Sequence, residues 1–221
     1  MDIYYKCEEC GQIEIDAEWI KIDEKFKCMH CEKVGRRVSW PSAEIRGLFD
    51  HVCHLEHTSP EYGLISIVFV SAALELLLER LIYIVAIENF LYEEVEHFIE
   101  LLLDTNQGRA RRIELYKHLA YDSFEVEARK VGYNQFMEHW NTIAEIRNKI
   151  LHGNLKMSQD VDRYLIETTI SEALPVFSVL NNKYNAESLR YGIARESVEK
   201  KIKELEKLRI WKEAGNRNTK D

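Results

Sequence analysis

Four cysteines near the start of the chain have the clearest spacing for chemistry. They form two Cys-x-x-Cys units, Cys7 with Cys10 and Cys28 with Cys31. Two intervening residues let both sulfurs of a unit bind one tetrahedral ion, and Gly11 permits the tight turn that follows the first unit. The spacing therefore predicts a structural zinc site of four thiolates, which leaves no open coordination position for catalysis.

Two alternatives to this ligand set stay open at the level of sequence. His30 lies inside the second unit and would be able to replace a cysteine as a ligand. Its place in the turn favours a residue that does not bind the metal. A redox function would need only one Cys-x-x-Cys unit. A segment of about 40 residues builds too small a core to fold alone, and a bound metal would supply the missing stabilisation.

A second group of metal-ligating residue types follows shortly after Pro41. Its members are His51, Cys53, His54 and His57. The three histidines recur every third residue, but no acidic or thiolate partner stands at a spacing typical of a metal site. A polar helix end or a loop is the preferred interpretation.

The segment Arg147-Asn148-Lys149-Ile150-Leu151-His152-Gly153 ends a helix predicted over 134–152. Four apolar residues of this helix share one face at 100° per residue, and Arg147 projects into the middle of that face. Those four residues are Phe136, Trp140, Ile143 and Ile150. A charge in such a position is costly unless it is paired or opens onto a cleft or an interface. Arg147, Asn148 and His152 are therefore candidate catalytic residues.

A purely structural interpretation of the same motif also stays open. Arg147 would then pair with Glu75 or Glu79 inside the helical bundle, and His152 would only cap the last carbonyls of its helix. The Arg-x-x-x-x-His spacing is not distinctive alone, because Arg46 and His51 repeat it without a comparable apolar stripe.

The remaining sequence predicts a mainly helical fold. Prolines and glycines are few, and charged residues make up 31% of the chain, which favours long solvated helices. Ile13, Ile15 and Ala17 alternate with polar residues and predict a strand. Ser59-Pro60-Glu61 predicts the start of an apolar central helix that continues to about Glu88. Further helices are predicted at 92–104, 109–120, 158–182 (with a kink at Pro175) and 187–213.

Three regions follow from these patterns: a β-rich metal module over 1–40, a helical bundle over 41–185, and a charged helix and tail over 186–221. The net charge is −8, and acidic residues dominate 41–185, whereas basic residues outnumber acidic ones after 185. Any contact with a polyanion must therefore be local. The first residues do not look like a signal peptide, and the longest apolar stretch is shorter than the roughly 20 residues that span a bilayer. We expect a cytoplasmic protein with no membrane contact.

Residues 4–34 resemble a zinc ribbon. Residues 42–185 resemble the HEPN superfamily, because Arg-Asn-x-x-x-His-Gly ends an amphipathic helix within a predicted helical bundle. That resemblance implies a metal-independent endoribonuclease that acts as a homodimer, with Arg147, Asn148 and His152 in its active site. It also implies a toxin or antiviral defence effector, with an antitoxin or regulatory protein as a partner. The superfamily includes inactive members, so the alternative is a catalytically silent HEPN and zinc-ribbon module that binds nucleic acid or a partner protein.

The residue types suit RNA cleavage by 2′-hydroxyl attack. A guanidinium stabilises charge on the phosphorane, and an imidazole transfers protons to and from the reacting oxygens. Asn148 would orient a phosphate oxygen or the histidine. Two groups of cations are candidate RNA contacts, for which a solvated helix face is the plainer interpretation; they are Arg109, Arg111 and Arg112, and Lys200, Lys201, Lys203 and Lys207. In the ribbon the candidates for RNA or partner contact are Trp19, Lys25, Lys27, Arg36 and Arg37, unless the ribbon only braces the bundle.

Overall fold

The computed structural model describes residues 4–15, 25–56, 58–59, 61–89, 101–154, 156 and 161–184. Within these ranges the protein is mainly helical, with a small β-rich region at the N-terminus. The predicted class is confirmed at that level. No helix in the described part of the chain is long and apolar enough to cross a membrane.

The N-terminal region is a four-stranded antiparallel sheet. Its strands are β1 (Tyr4–Cys7), β2 (Ile13–Ile15), β3 (Lys25–Lys27) and β4 (Val34–Trp40). The spatial order is β2-β1-β4-β3, so β1 and β4 form the centre and β2 and β3 are the edges. Each Cys-x-x-Cys unit begins where an edge hairpin of this sheet turns.

The helices follow in chain order: α1 (Ala43–His54), α2 (Tyr62–Asn89), α3 (Arg109–Ala120), α4 (Phe124–Lys130), α5 (Phe136–Leu151) and α6 (163–184). Residues 101–105 are also helical. The predicted helices at 109–120 and 134–152 are thereby confirmed, and the helix predicted at 158–182 is observed over 163–184, where it continues through Pro175. The predicted helix at 187–213 lies outside the described residues, as does most of the one at 92–104.

The short helix α4 was not predicted. Its start carries a local signal, because Ser123 Oγ accepts a hydrogen bond from the Val126 amide at 3.2 Å. A serine in this position satisfies one of the free N–H groups of the first turn. Seven residues are too few to show helical periodicity clearly, which explains the miss.

Helix α2 is the central element of the bundle. It is apolar nearly all round, and it contacts α1, α3 and α5. Buried residues such as Ile67, Leu74 and Leu78 have no exposed surface. A helix with apolar side chains on every face has to be surrounded by other elements, and the 28 residues of α2 provide the surface for that arrangement.

Aromatic rings pack against one another where α4, α5 and α6 meet. The Phe124 and Phe177 rings lie 5.3 Å apart, and Trp140 lies 5.7 Å from Phe124. Phe136, one turn before Trp140, is fully buried as well. These contacts fix the rotation of α5, so that its C-terminal half presents Arg147 towards α2.

The sheet packs directly onto the bundle. Tyr4 and Ile13 belong to the same buried cluster as the helices. The Asn182 side chain of α6 accepts from the Ile13 amide and donates to the Ile13 carbonyl, both at 2.7 Å. It thus takes the place of a neighbouring strand at the free edge of β2.

A second set of bonds joins the other side of the sheet to α1. Arg46 donates to the Tyr4 carbonyl at 3.0 Å and to the Trp40 carbonyl at 2.8 Å. Near this junction, burial and, secondly, the charge of Arg80 on α2 lower the pKa of Lys6. The four-stranded sheet with its two cysteine turns, which we call the ribbon, therefore shares one core with the helical bundle and is joined to it by polar contacts.

We expect Asn182→Ala to lower the free energy of unfolding by about 1–3 kcal/mol, because it leaves the Ile13 amide and carbonyl without their partner. Zinc should also be released faster to a colorimetric chelator, since β2 directly follows the first Cys-x-x-Cys unit. Chemical denaturation and stopped-flow zinc release measure the two effects. The exposed Asn134→Ala is the matched control, and equal behaviour of both variants would contradict the docking function of Asn182.

Candidate functional site

The four predicted zinc ligands come together at the end of the sheet. The Sγ atoms of Cys7, Cys10, Cys28 and Cys31 all lie within 4.8 Å of one another, and the first three residues are buried. The Cys10 and Cys28 sulfurs are 3.7 Å apart. A tetrahedral site with zinc–sulfur bonds of about 2.3 Å requires sulfurs about 3.8 Å apart. The geometry therefore fits a single zinc ion held by four thiolates.

The two Cys-x-x-Cys turns are built in the same way. Gly11 donates to the Cys7 carbonyl at 2.9 Å, and Glu32 donates to the Cys28 carbonyl at 2.9 Å. Both residues have positive φ, 69° for Gly11 and 58° for Glu32. A left-handed residue after the second cysteine closes each turn, which explains Gly11 and shows that the second turn tolerates a side chain.

Backbone N–H groups point at the sulfurs. The His30 amide lies 3.4 Å from Cys28 Sγ. Burial raises the pKa of the Cys7 and Cys10 thiols. In Cys28 the effect of burial is outweighed by amide donors and neighbouring thiols, so its pKa is lowered. Four cysteines gathered in a buried site favour neutral thiols or a divalent cation that holds the thiolates.

The His30 side chain is turned away from the sulfurs. Its Nε2 lies 2.9 Å from Glu14 Oε1, and Tyr5 donates its hydroxyl proton to the other oxygen of Glu14. This chain of contacts ties the second Cys-x-x-Cys turn to β1 and β2. His30 therefore supports the site from outside the group of ligands.

The second group of metal-ligating residue types does not assemble in the described residues. His51 packs against Phe69 with ring centroids 5.4 Å apart, and His54 Nδ1 lies 2.7 Å from the Asp50 carbonyl oxygen. Cys53 is exposed on α1, and His57 lies outside the described residues. Among the described residues only the four cysteines converge as metal ligands.

We expect the purified protein to carry one zinc per chain, and Cys7→Ser or Cys28→Ser to lose it. Replacing a thiolate by a hydroxyl removes a ligand that zinc prefers, and the ribbon should then lose its fold. Metal analysis of the purified variants measures the stoichiometry. Cys53→Ser is the matched control, and a zinc content unchanged in all three variants would contradict the assignment.

Arg147 lies where α5 crosses α2. Its Nη1 donates to Ser71 Oγ at 3.2 Å and forms a short ion pair with Glu75. Its Nη2 lies 3.3 Å from Asn148 Oδ1. The side chain remains 22% exposed, while Nε is buried without a partner among the described residues. The structural alternative for Arg147 is thus realised with Glu75.

Glu79, the other acidic residue of α2 predicted as a partner for Arg147, forms an ion pair with a different arginine. Arg112 of α3 reaches Glu79 Oε1 at 3.3 Å. Glu75 and Glu79 stand one turn apart on α2, and each accepts one guanidinium from a neighbouring helix. These pairs connect α2 to both α3 and α5.

Asn148 and His152 are exposed at the end of α5. Gly153 has a φ of 95°, and the Asn154 amide donates to the Lys149 carbonyl at 3.0 Å, which closes the helix. A left-handed glycine at this position is the common way to end a helix. The imidazole of His152 is therefore placed on the surface, one turn beyond Asn148.

Arg109, at the start of α3, also contacts α5. It donates to Asn141 Oδ1 at 2.5 Å, and its guanidinium is 5.6 Å from the Trp140 ring centroid. Burial is the main effect that lowers the pKa of Arg109. The carboxylates of Glu75 and Glu145 raise this pKa, and the charge of Arg147 lowers it. The charges of Glu75 and Arg147 therefore act on Arg109 in opposite directions.

Comparison with known families, with curated proteins and with solved structures finds no match to this chain.

Proposed function

We propose that this chain is a metal-independent endoribonuclease of the HEPN type that cleaves RNA as a homodimer. The supporting observation is the arrangement of Arg147, an oriented and partly exposed guanidinium on the same helix end as the exposed Asn148 and His152. An oriented cation beside a surface imidazole suits phosphodiester chemistry.

The guanidinium retains capacity for a substrate. Ser71 and Glu75 engage Nη1, whereas Nη2 has a single contact with Asn148, at 3.3 Å. Because each terminal nitrogen carries two N–H groups, Nη2 has one N–H left for a phosphate oxygen. Glu75 in this proposal holds the orientation of Arg147, since a fixed donor needs no reorganisation during the reaction.

The proposed reaction is an internal transfer. The 2′-hydroxyl loses its proton to an imidazole and attacks the adjacent phosphorus, while the bond from phosphorus to the 5′ oxygen breaks. The 5′ oxygen takes a proton from an imidazolium, and the products are a 2′,3′-cyclic phosphate and a 5′-hydroxyl. Each chain supplies one histidine, His152, to the proposed active site, so a dimer would provide the second proton-transfer group.

His152→Ala should reduce cleavage by roughly 10²–10⁴-fold, because a positioned proton-transfer group contributes about that much. Arg147→Lys should reduce it by roughly 10²–10³-fold, because lysine keeps the charge but loses the forked donors. Rates on a labelled RNA and mapping of the product ends measure both.

The other Arg-x-x-x-x-His pair provides matched controls, since Arg46 binds two carbonyls and His51 packs against Phe69. Arg46→Lys and His51→Ala should cleave like the parent protein. Parent-like cleavage by Arg147→Lys and His152→Ala would refute the active-site assignment. The assay needs brief exposure to chelator with zinc content measured in parallel, because zinc loss would disturb the fold.

A second candidate function is favoured by the Arg147–Glu75 ion pair. A carboxylate that satisfies the guanidinium also offsets its charge, as Glu79 does for Arg112. The chain would then be a silent HEPN and zinc-ribbon module that binds nucleic acid or a partner protein. Absence of cleavage by zinc-loaded parent protein, together with retained binding, identifies this alternative.

Dimer formation should depend on Leu151, which lies next to His152 and is 68% exposed. An exposed leucine beside the site would gain free energy by burial against a second copy. Leu151→Lys should therefore shift the protein towards monomer and reduce cleavage in parallel, with little change in unfolding free energy. Analytical ultracentrifugation measures the mass. Tyr164→Lys, at a residue 70% exposed on α6, is the control, and a dimer that survives Leu151→Lys contradicts the proposed interface.

A further inference from the structure

One face of the ribbon gathers cations through its strand register. Lys25 pairs with Arg36, and Lys27 pairs with Val34, in the antiparallel ladder of β3 and β4. Residues that stand opposite one another project from the same face, as do residues two apart on one strand. Lys25, Lys27, Val34 and Arg36 therefore share a face, and all four are exposed. We call this group the cationic face.

This arrangement is unfavourable for the isolated protein. Directly opposite like charges, such as Lys25 and Arg36, destabilise a sheet. None of the three cations forms an ion pair with a carboxylate among the residues that the structure describes. An exposed valine in their midst, at 66%, adds apolar surface in water. Such a face gains free energy when an anion covers it.

One nearby acidic side chain, that of Glu9, lies on the opposite face of the hairpin. A Cβ atom added at Gly35 would meet Glu9 Cγ at 2.9 Å, so the Glu9 side chain covers the face of β4 to which Gly35 points. Gly35 lies between Val34 and Arg36, and its face is therefore the other one. A Glu9 carboxylate oxygen lies 3.7 Å from Lys33 Nζ. Glu9 therefore lies away from the three cations of the cationic face.

The cationic face continues towards the bundle. Lys6 pairs with Val38 in the ladder of β1 and β4, and Val38 lies two residues beyond Arg36 on the same face. Burial and, secondly, the positive charge of Arg80 on α2 lower the pKa of Lys6, so a further cation of the bundle acts on this end of the face. A row of positive charge thus leads from the ribbon edge to the helices.

We propose that the cationic face binds the phosphate backbone of an RNA strand. The protein as a whole is acidic, with a net charge of −8, so a polyanion would be held at this place rather than over the whole surface. The choice of RNA over another polyanion rests on the proposed function. The face itself rests on the strand register, independently of Arg147 and His152.

The test uses zinc-loaded protein and a fluorescent 2′-O-methyl oligonucleotide, which lacks the 2′-hydroxyl and so is not cut. Lys25→Glu/Lys27→Glu/Arg36→Glu should weaken binding. The slope of log K against log salt concentration should become smaller by about 2, because each lost phosphate contact on a single strand accounts for about 0.7. Fluorescence anisotropy over a salt series measures both quantities.

A matched control carries the same charge change on the bundle. Lys117→Glu/Arg129→Glu/Arg163→Glu replaces three cations whose side chains are each slightly more than half exposed. Its salt slope should stay that of the parent. Equal loss in both triple variants would mean that only net charge matters, and would overturn the proposal, as would tighter binding of an acidic polypeptide than of the oligonucleotide.

The outcomes separate this proposal from the proposed function. Salt-dependent binding that is lost in the ribbon variant, without cleavage by the parent, supports the cationic face and refutes the nuclease. Cleavage that depends on His152, with an unchanged salt slope in the ribbon variant, supports the nuclease and refutes the cationic face.

Discussion

The two hydrogen bonds between Asn182 and the backbone of Ile13 join the parts of the chain that carry different chemistry. They connect residues 169 positions apart, and they satisfy the free edge of β2 with a side chain of α6. The metal site lies at one end of the strands that this contact holds, and the aromatic core that orients α5 lies on the other side. Loss of either part therefore weakens the other.

A metal ion bound at the four cysteines would stabilise the whole protein through this coupling. Zinc bound by four thiolates would have no free position for substrate, so its contribution would be to the fold. Tyr4 and Ile13 of the ribbon nevertheless belong to the core that includes α2 and α6. A chelator would then affect the helical bundle through lost packing, and a metal-independent reaction would still depend on the ribbon being folded.

Much of this arrangement is predictable from local patterns. The cysteine spacing predicts the metal site, and the low content of proline and glycine predicts helices, among which α3 has its predicted bounds. The docking of the ribbon is not predictable in this way, because an asparagine near the end of α6 has no local sign of a partner in β2. Likewise the sequence offers Glu75 and Glu79 equally to Arg147. Tertiary packing assigns Glu79 to Arg112 and leaves Glu75 for Arg147.

In the proposed function, that assignment also determines the repulsion that a phosphate would meet at Arg147. The Glu75 ion pair is about one-fifth exposed on each side, so water screens it only in part. A phosphate that approaches Nη2 does not need to displace Glu75, but it must tolerate the negative charge of that carboxylate. Arg109 also interacts electrostatically with Glu75, whose negative charge raises the pKa that burial lowers. In the proposed function, this second positive charge would reduce the repulsion between Glu75 and a phosphate bound at Arg147.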